Sequence, residues 1–330
     1  MGGDGLKVLE ICAGAGGQAL GLEQAGFEPV MLVENDEHCC KTLRLNRPSW
    51  DVRQMDLRDF VAADHSEALD VDLLAGGVPC TPYSVAGQQK GDLDERDLLE
   101  VALYLAYEVQ PRAIMIENAA ELLTHQKFAP SRDVVRKHLA HLNYQHTWKI
   151  LDAQAFGLPQ RRRRSVLIAM RDPDAFSRFA WPAPAGPPPT VADVLLPSMA
   201  SRGWPHAAEW AAMASKIGPT VVGGSKKHGG PDLGPDRAKT AWSLLGVNGN
   251  SLANELPGPT DGFELGVGRK GREGLRRLTI SQVALLQGFP EDWIFAGNKT
   301  ARYQQVGNAF PPPVARAVGE RIARALRLEG

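Results

Sequence analysis

Cys80 lies between Pro79 and Pro82, after an apolar run (71–75) and the pair Gly76-Gly77. Glycine lets a backbone pass close to a ligand, and proline fixes φ and stiffens a loop. Most lone cysteines are simply small buried apolar groups. A thiol on a stiff loop just beyond a buried strand is instead a candidate nucleophile, acting as its thiolate. Glu10, Glu34, Asp56 and Glu117 also fall at or just after the ends of apolar segments, and Arg161-Arg162-Arg163-Arg164 leads into another.

Those segments must be the elements that position the chemistry. Stretches 6–12, 29–33, 52–55, 71–75, 113–116 and 165–170 read as strands, and 18–25, 37–45, 98–109 and 133–142 as helices. The alternation predicts an α/β fold, a doubly wound and mostly parallel sheet with helices on both faces. Right-handed crossovers put the strand ends on one edge, where ligands bind in such sheets. The apolar residues 114–116 bring Glu117 to that edge from a buried strand. Alternation along the next strand is expected to place Arg162 and Arg164 on one face.

Gly14-Ala15-Gly16-Gly17-Gln18-Ala19 fits G-x-G-x-x-G/A between the first strand and its helix, and Glu34 follows Gly14 by 20 residues. This arrangement suits a nucleoside cofactor, with free N–H groups at the helix start and Glu34 accepting from ribose hydroxyls. By itself it fits NAD as well as S-adenosylmethionine. Glu10, just before the loop, would repel a pyrophosphate and suits a cationic ligand. Asp56 would accept the adenine amino group; a single Asp there equally suits a turn or helix cap.

Several blocks together resemble the DNA (cytosine-5) methyltransferase family of bacterial or phage type. Gly77-Val78-Pro79-Cys80 is similar to its catalytic loop, and residues 9–17 to its cofactor loop. Ile116-Glu117-Asn118-Ala119, Gln160-Arg161-Arg162-Arg163-Arg164, residues 276–290 and Gln305-Val306-Gly307-Asn308 follow in the family's order. The resemblance covers 6–170 and 276–328. It implies an S-adenosylmethionine-dependent, Rossmann-like catalytic domain with a smaller target-recognition domain. Four positions depart from the usual pattern: Glu10 replaces Asp, Cys12 replaces a Phe stacked on adenine, Thr81 replaces Gln and Ala119 replaces Val.

The resemblance implies methyl transfer to C5 of a flipped-out cytosine in a specific duplex sequence, through a covalent Cys80–C6 intermediate. Glu117 would contact N3 and the exocyclic amine, Arg164 the base O2, and Arg162 would hold the active site or nearby backbone. Glu10, Cys12, Gly14, Gly16, Gly17, Glu34, Asn35, Asp56, Pro79 and Asn308 would hold the cofactor, leaving S-adenosylhomocysteine as product. Ser84 would touch DNA. A cognate restriction endonuclease, acting independently, is the partner such an enzyme would have, in DNA marking or restriction-modification. A monomer is expected.

The proline-rich segment 182–189 reads as a linker, and the stretch after it is rich in glycine and proline with weak periodicity. The expected division is a catalytic domain over 1–180, a loop-built target-recognition domain over 181–275 and a return to the catalytic domain over 276–330, with helices at 278–287 and 314–328. Lys226, Lys227, Arg269, Lys270 and Arg272 are the expected DNA contacts of the middle part. A net charge of −1 does not mark the whole chain as a nucleic-acid binder, but phosphate contacts need only one basic face.

Four cysteines without a C-x-x-C pair, and His138 and His141 without a third ligand, give no expectation of a metal. With no secretion signal and no apolar run of membrane-spanning length, the expected place is the cytoplasm of a bacterium or phage-infected host. Rival readings explain less. An NAD oxidoreductase leaves Cys80, Glu117 and the arginines unused. A tRNA-directed relative would usually carry a further Cys-Phe-Thr element, and no cysteine follows Cys80. The intact Pro-Cys and Glu-Asn blocks argue against a non-catalytic DNA-binding relative.

Overall fold

The computed structural model describes residues 5–79, 98–223 and 230–327. Cys80, Ser84, Lys226 and Lys227 lie outside the described residues. The chain divides into two compact units. The first takes in Met1–Leu151, Arg163–Pro182 and Val314–Gly330; the second takes in Asp152–Arg162 and Ala183–Pro313. One boundary between the units lies within the proline-rich segment, and residues 276–313 fall in the second unit.

The first unit is built on a seven-stranded sheet of order β3-β2-β1-β4-β5-β7-β6. Its strands are β1 (Leu6–Ile11), β2 (Phe27–Glu34), β3 (Val52–Gln54), β4 (Leu73–Gly76), β5 (Ala113–Ala119), β6 (Gln145–Asp152) and β7 (Arg163–Met170). β1 pairs in parallel with β2 and β4, β2 with β3 and β4 with β5, whereas β7 runs antiparallel to β5. Residues 73–75 of β4 and 113–116 of β5 are continuous apolar runs because both faces of the sheet are covered there. On one face Leu9, Ile11, Leu74, Ile114 and Leu167 pack with residues of α3 (Leu98–Val109) and α5 (Ala129–His141).

Strand order reverses between β1 and β4, the position where open α/β sheets bind ligands beyond their strand ends. The glycine loop and α1 (Gly17–Gln24) follow β1, and α2 (Glu37–Asn46) follows β2. Gly76 ends β4 against β1, where a methyl group would stand 2.6 Å from Ile11 Cγ1 and 2.7 Å from the Ile11 carbonyl oxygen. Backbone cannot yield there without parting the strands. Gly76→Ala should therefore cost about 1–3 kcal/mol, read as a lower denaturant midpoint. An unchanged midpoint would show that β1 and β4 are less tightly seated.

The second unit is more regular than its composition suggests. It contains α7 (Val191–Ala200), α8 (Ala207–Met213), α9 (Asp236–Ser243), α10 (Ile280–Leu286) and α11 (Lys299–Asn308). The short α4 (Glu121–Thr124) and α6 (Pro173–Arg178) belong to the first unit, and α12 (Pro312–Leu326) carries the chain back into it. Trp210 and Trp242 are fully buried and anchor α8 and α9. The capping box of Thr279 and Gln282 starts α10, satisfying backbone N–H groups that would otherwise lack partners. No described helix is long and apolar enough to cross a membrane.

Candidate active site

The end of β1 carries buried polar groups with unmet hydrogen-bonding demand. Glu10 is 1% exposed, and among the described residues neither of its carboxylate oxygens has a hydrogen-bond partner. Burial pushes its pKa well above the usual carboxylate range, and the neighbouring Glu34 charge adds to the rise. The Ala19 N–H at the start of α1 points the other way, favouring the charged form, although it does not complete a hydrogen bond to either oxygen. Gln18, beside it in α1, is also buried with both side-chain polar atoms unpartnered.

Glu34 is also buried, but it is held. One oxygen accepts the Gly14 N–H at 2.7 Å and the other the Asp36 N–H at 2.8 Å. Burial still raises its pKa. Its contact with Gly14 folds the glycine loop back onto the end of β2. That loop needs left-handed backbone at Cys12 (φ 50°), Gly14 (φ 55°) and Gly16 (φ 84°); glycine takes it freely, whereas Cys12 bears strain. Burial pushes the Cys12 thiol up to about 12, so it stays protonated.

Asp56 behaves as the cap that a lone Asp suggests. It accepts the Arg58 N–H at 3.0 Å and pairs with the Arg58 guanidinium at 2.6 Å. The Arg58 hydrogen bond is the main reason its pKa falls to about 2. Asn35 and Pro79 are exposed at the ends of β2 and β4.

The buried acids make the cofactor-free protein pH-sensitive. An acid whose pKa is raised on folding stabilises the fold fully below its unfolded value and loses that stabilisation as pH rises through its folded value. The melting temperature of the cofactor-free chain should therefore fall as pH rises above the unfolded carboxylate range. Glu10→Gln should flatten that slope; an equally steep slope in the variant would place the titration elsewhere.

At the end of β4, Asn118 Nδ2 donates to the Val78 carbonyl at 2.5 Å, tying the segment before Cys80 to β5. Glu117 is buried at the same edge, and its Oε1 stands 2.9 Å from Arg164 Nε. Its Oε2 would lie 3.2 Å from a methyl group placed on Gly77, so glycine keeps that approach open. Because β7 is antiparallel to β5, Arg164 faces Ala119 across the ladder. Ser165 Oγ donates to the Ala119 carbonyl at 3.0 Å and reinforces this register. Asn118, part of the Glu-Asn block, and Ser165 are supports; the signal for Ser165 is its adjacency to Arg164.

Arg162 is not on a strand face with Arg164, as alternation predicted, because β7 begins only at Arg163. It is 1% exposed within the second unit, donating to the Val221 and Ala309 carbonyls at 2.8 Å each. Its guanidinium is a backbone clamp. Gln160, fully buried, extends it by donating to Gln287 Oε1 at 2.6 Å and to the Leu286 carbonyl at 2.7 Å. Gln287 in turn donates to the Val306 carbonyl. Gly223 passes so close to α11 that a methyl group there would sit 2.4 Å from Asn308 Oδ1. Asn308 is exposed.

The basic stretch near residue 270 splits in two. Arg272, expected at DNA, is instead 3% exposed, with its guanidinium on Asp236 at 3.0 Å and Thr240 at 2.6 Å. Those contacts pin α9 and leave no open side for a phosphate. Arg269 is exposed, and Lys270 reaches Asp236 at 2.7 Å from a half-exposed position.

Residues 6–324 match the family model for C-5 cytosine-specific DNA methylase. The chain is 49% identical over 326 residues to the type II methyltransferase M.NaeI of Lentzea aerocolonigenes, covering 98% of this chain and 76% of that protein. It is 43% identical over 323 residues to the type II methyltransferase M.NgoMIV of Neisseria gonorrhoeae, covering 97% and 98%. The S. pombe Dnmt2 methyltransferase structure superposes with a TM-score of 0.66 at 19% identity, over 98% of this chain and 100% of that one, which bears on the fold alone. With the family model spanning nearly the whole chain, this protein belongs to the C-5 cytosine-specific DNA methylases and is a DNA (cytosine-5)-methyltransferase.

Proposed function

We propose that this enzyme methylates one cytosine of a specific duplex sequence, with Cys80 as nucleophile and Glu117 and Arg164 as the groups that hold the base. The Glu117–Arg164 pair carries this reading. It sets an acceptor and a guanidinium side by side at the strand edge where the Pro-Cys loop leaves β4. A cytosine presents to such a pair its N3 and amino group on one side and its O2 on the other.

The Cys80 thiolate adds to C6, disrupting the ring's aromaticity and giving C5 enamine character. Glu117 contacts the amino group and supports protonation at N3 as electron density builds there. Arg164 stabilises O2, and Arg162 keeps the 221 and 309 segments together within the second unit. Loss of the C5 proton and expulsion of Cys80 end the cycle. A stacked base exposes neither C6 face to a thiol, so the target must leave the duplex.

Family membership implies S-adenosylmethionine, which supplies the methyl group when bound. The residues fit it. Glu10 offers two unpartnered buried oxygens to a cationic end, and Glu34 sits where ribose hydroxyls would be met. Asp56 keeps acceptor capacity beside its Arg58 bonds, and Asn35 and Pro79 belong to the same proposed set; the assignment of Asn308 rests on the family resemblance alone. Arg269, Lys270, Lys226, Lys227 and Ser84 are proposed DNA contacts. We place the enzyme in a restriction-modification pair as a cytoplasmic monomer, its endonuclease acting separately.

Bisulfite sequencing of DNA from cells expressing the chain tests the reading of a single target. Protected cytosines should share one short sequence, always at the same position. Protection scattered without a common sequence would overturn it.

A further inference from the structure

We propose that Glu10 holds a proton in the cofactor-free enzyme and releases it when the cationic end of S-adenosylmethionine enters, so that cofactor binding expels one proton. The inference rests on the cofactor reading above and adds its proton stoichiometry. A buried carboxylate must be paired or neutral, because an isolated charge away from water is too costly. Among the described residues Glu10 has no hydrogen-bond partner for either oxygen. The described groups around it do not supply a countercharge. From β2 it feels Glu34, an acid; from α1 it meets the Ala19 N–H. Gln18 of α1 is neutral, and the protonated Cys12 thiol follows β1. Its register neighbours, Leu32 on β2 and Ala75 on β4, are apolar.

Of the two neighbouring acids, Glu10 is the one to carry the proton. Glu34 accepts the Gly14 and Asp36 N–H groups, and such bonds favour its charged form. The adjacent Glu34 charge then disfavours a second negative charge at Glu10. An arriving ammonium or sulfonium reverses the balance. The O–H bond of Glu10 breaks, its proton passes to solvent buffer, and the carboxylate pairs with the cation. No other reactant is needed. Glutamate in place of the family's more frequent aspartate puts this carboxyl one methylene farther from β1.

Isothermal calorimetry of the intact chain with S-adenosylmethionine tests this at neutral pH, in phosphate and in Tris. The buffers differ in ionisation enthalpy, so the difference in observed heat counts protons released. We expect close to one proton per site in the wild type and close to none in Glu10→Gln. The wild-type affinity should rise up to about tenfold per pH unit where the free enzyme is protonated and the complex is not. Infrared difference spectra of the wild type supply a readout needing no variant: a protonated-carboxyl band should vanish on binding. Clear binding with buffer-independent heat, or the same release from a folded Glu10→Gln, would overturn the proposal and leave the cofactor reading intact. No binding in any buffer would overturn that reading itself.

Discussion

Cys80→Ala should abolish methyl transfer, lowering kcat by a factor on the order of 10⁴ or more, while cofactor and DNA binding persist. Cytosine C5 is too weak a nucleophile to take a methyl group unaided, and the covalent bond to C6 turns one prohibitive step into two accessible ones. Losing the nucleophile of a concerted constellation removes most of its rate advantage at once. The proposed cofactor and DNA contacts, among them Glu34 and Arg269, do not involve the thiol, so binding should survive its loss. Incorporation of labelled methyl groups into DNA, measured beside filter binding of the same DNA, separates the two. Activity within about tenfold of wild type would exclude covalent catalysis through this thiol.

Glu117→Gln should lower kcat roughly 10²–10⁴-fold, the usual range for a positioned proton-transfer group. The amide is nearly isosteric and still accepts from the cytosine amino group through its oxygen, so DNA affinity should change little. What it loses is the capacity to support a proton at N3. The variant also lacks the charge with which Glu117 meets Arg164 Nε at 2.9 Å. A largely buried guanidinium is then left without its counter-ion, which adds to the loss. A fall in kcat with unchanged KM for DNA is the expected pattern. A rise in KM alone would mean that Glu117 serves binding and not the chemical step.

The parts of this site that could be read in the sequence were those lying at the ends of buried strands. A continuous apolar run such as 113–116 announces a central strand, and the charged residue that follows it stands out. Antiparallel β7 is the exception with consequences. Its direction, which alternation could not reveal, brings the start of the strand to the reactive edge and so sets Arg164 opposite Ala119. Arg162, two residues earlier, precedes the strand and is used as a clamp. β6 escaped notice because it is the edge strand, partly exposed along most of its length, and so lacks a continuous apolar run.

The stretch 181–275 reads as loop-built in the sequence because glycine and proline interrupt its periodicity. Its helices are short, and α7 even contains Pro197. Long-range contacts decide its order instead: the buried tryptophans, the Gln160–Gln287 pair and the Arg162 clamp. The same contacts keep residues 276–313 in the second unit. Arg272 shows why a basic run is a poor guide to DNA contacts. Its neighbour in space, Asp236, lies 36 residues earlier and is invisible to any local pattern.

The central claim is the covalent bond between Cys80 and cytosine C6. A duplex carrying 5-fluorocytosine at the methylated position lacks the C5 proton whose loss frees the enzyme. Incubated with S-adenosylmethionine and the wild-type chain, it should form a complex that survives denaturing electrophoresis, with the adduct mapping to Cys80, and Cys80→Ala should form none. The absence of any adduct from active wild-type enzyme, or an undiminished adduct with Cys80→Ala, would contradict the account.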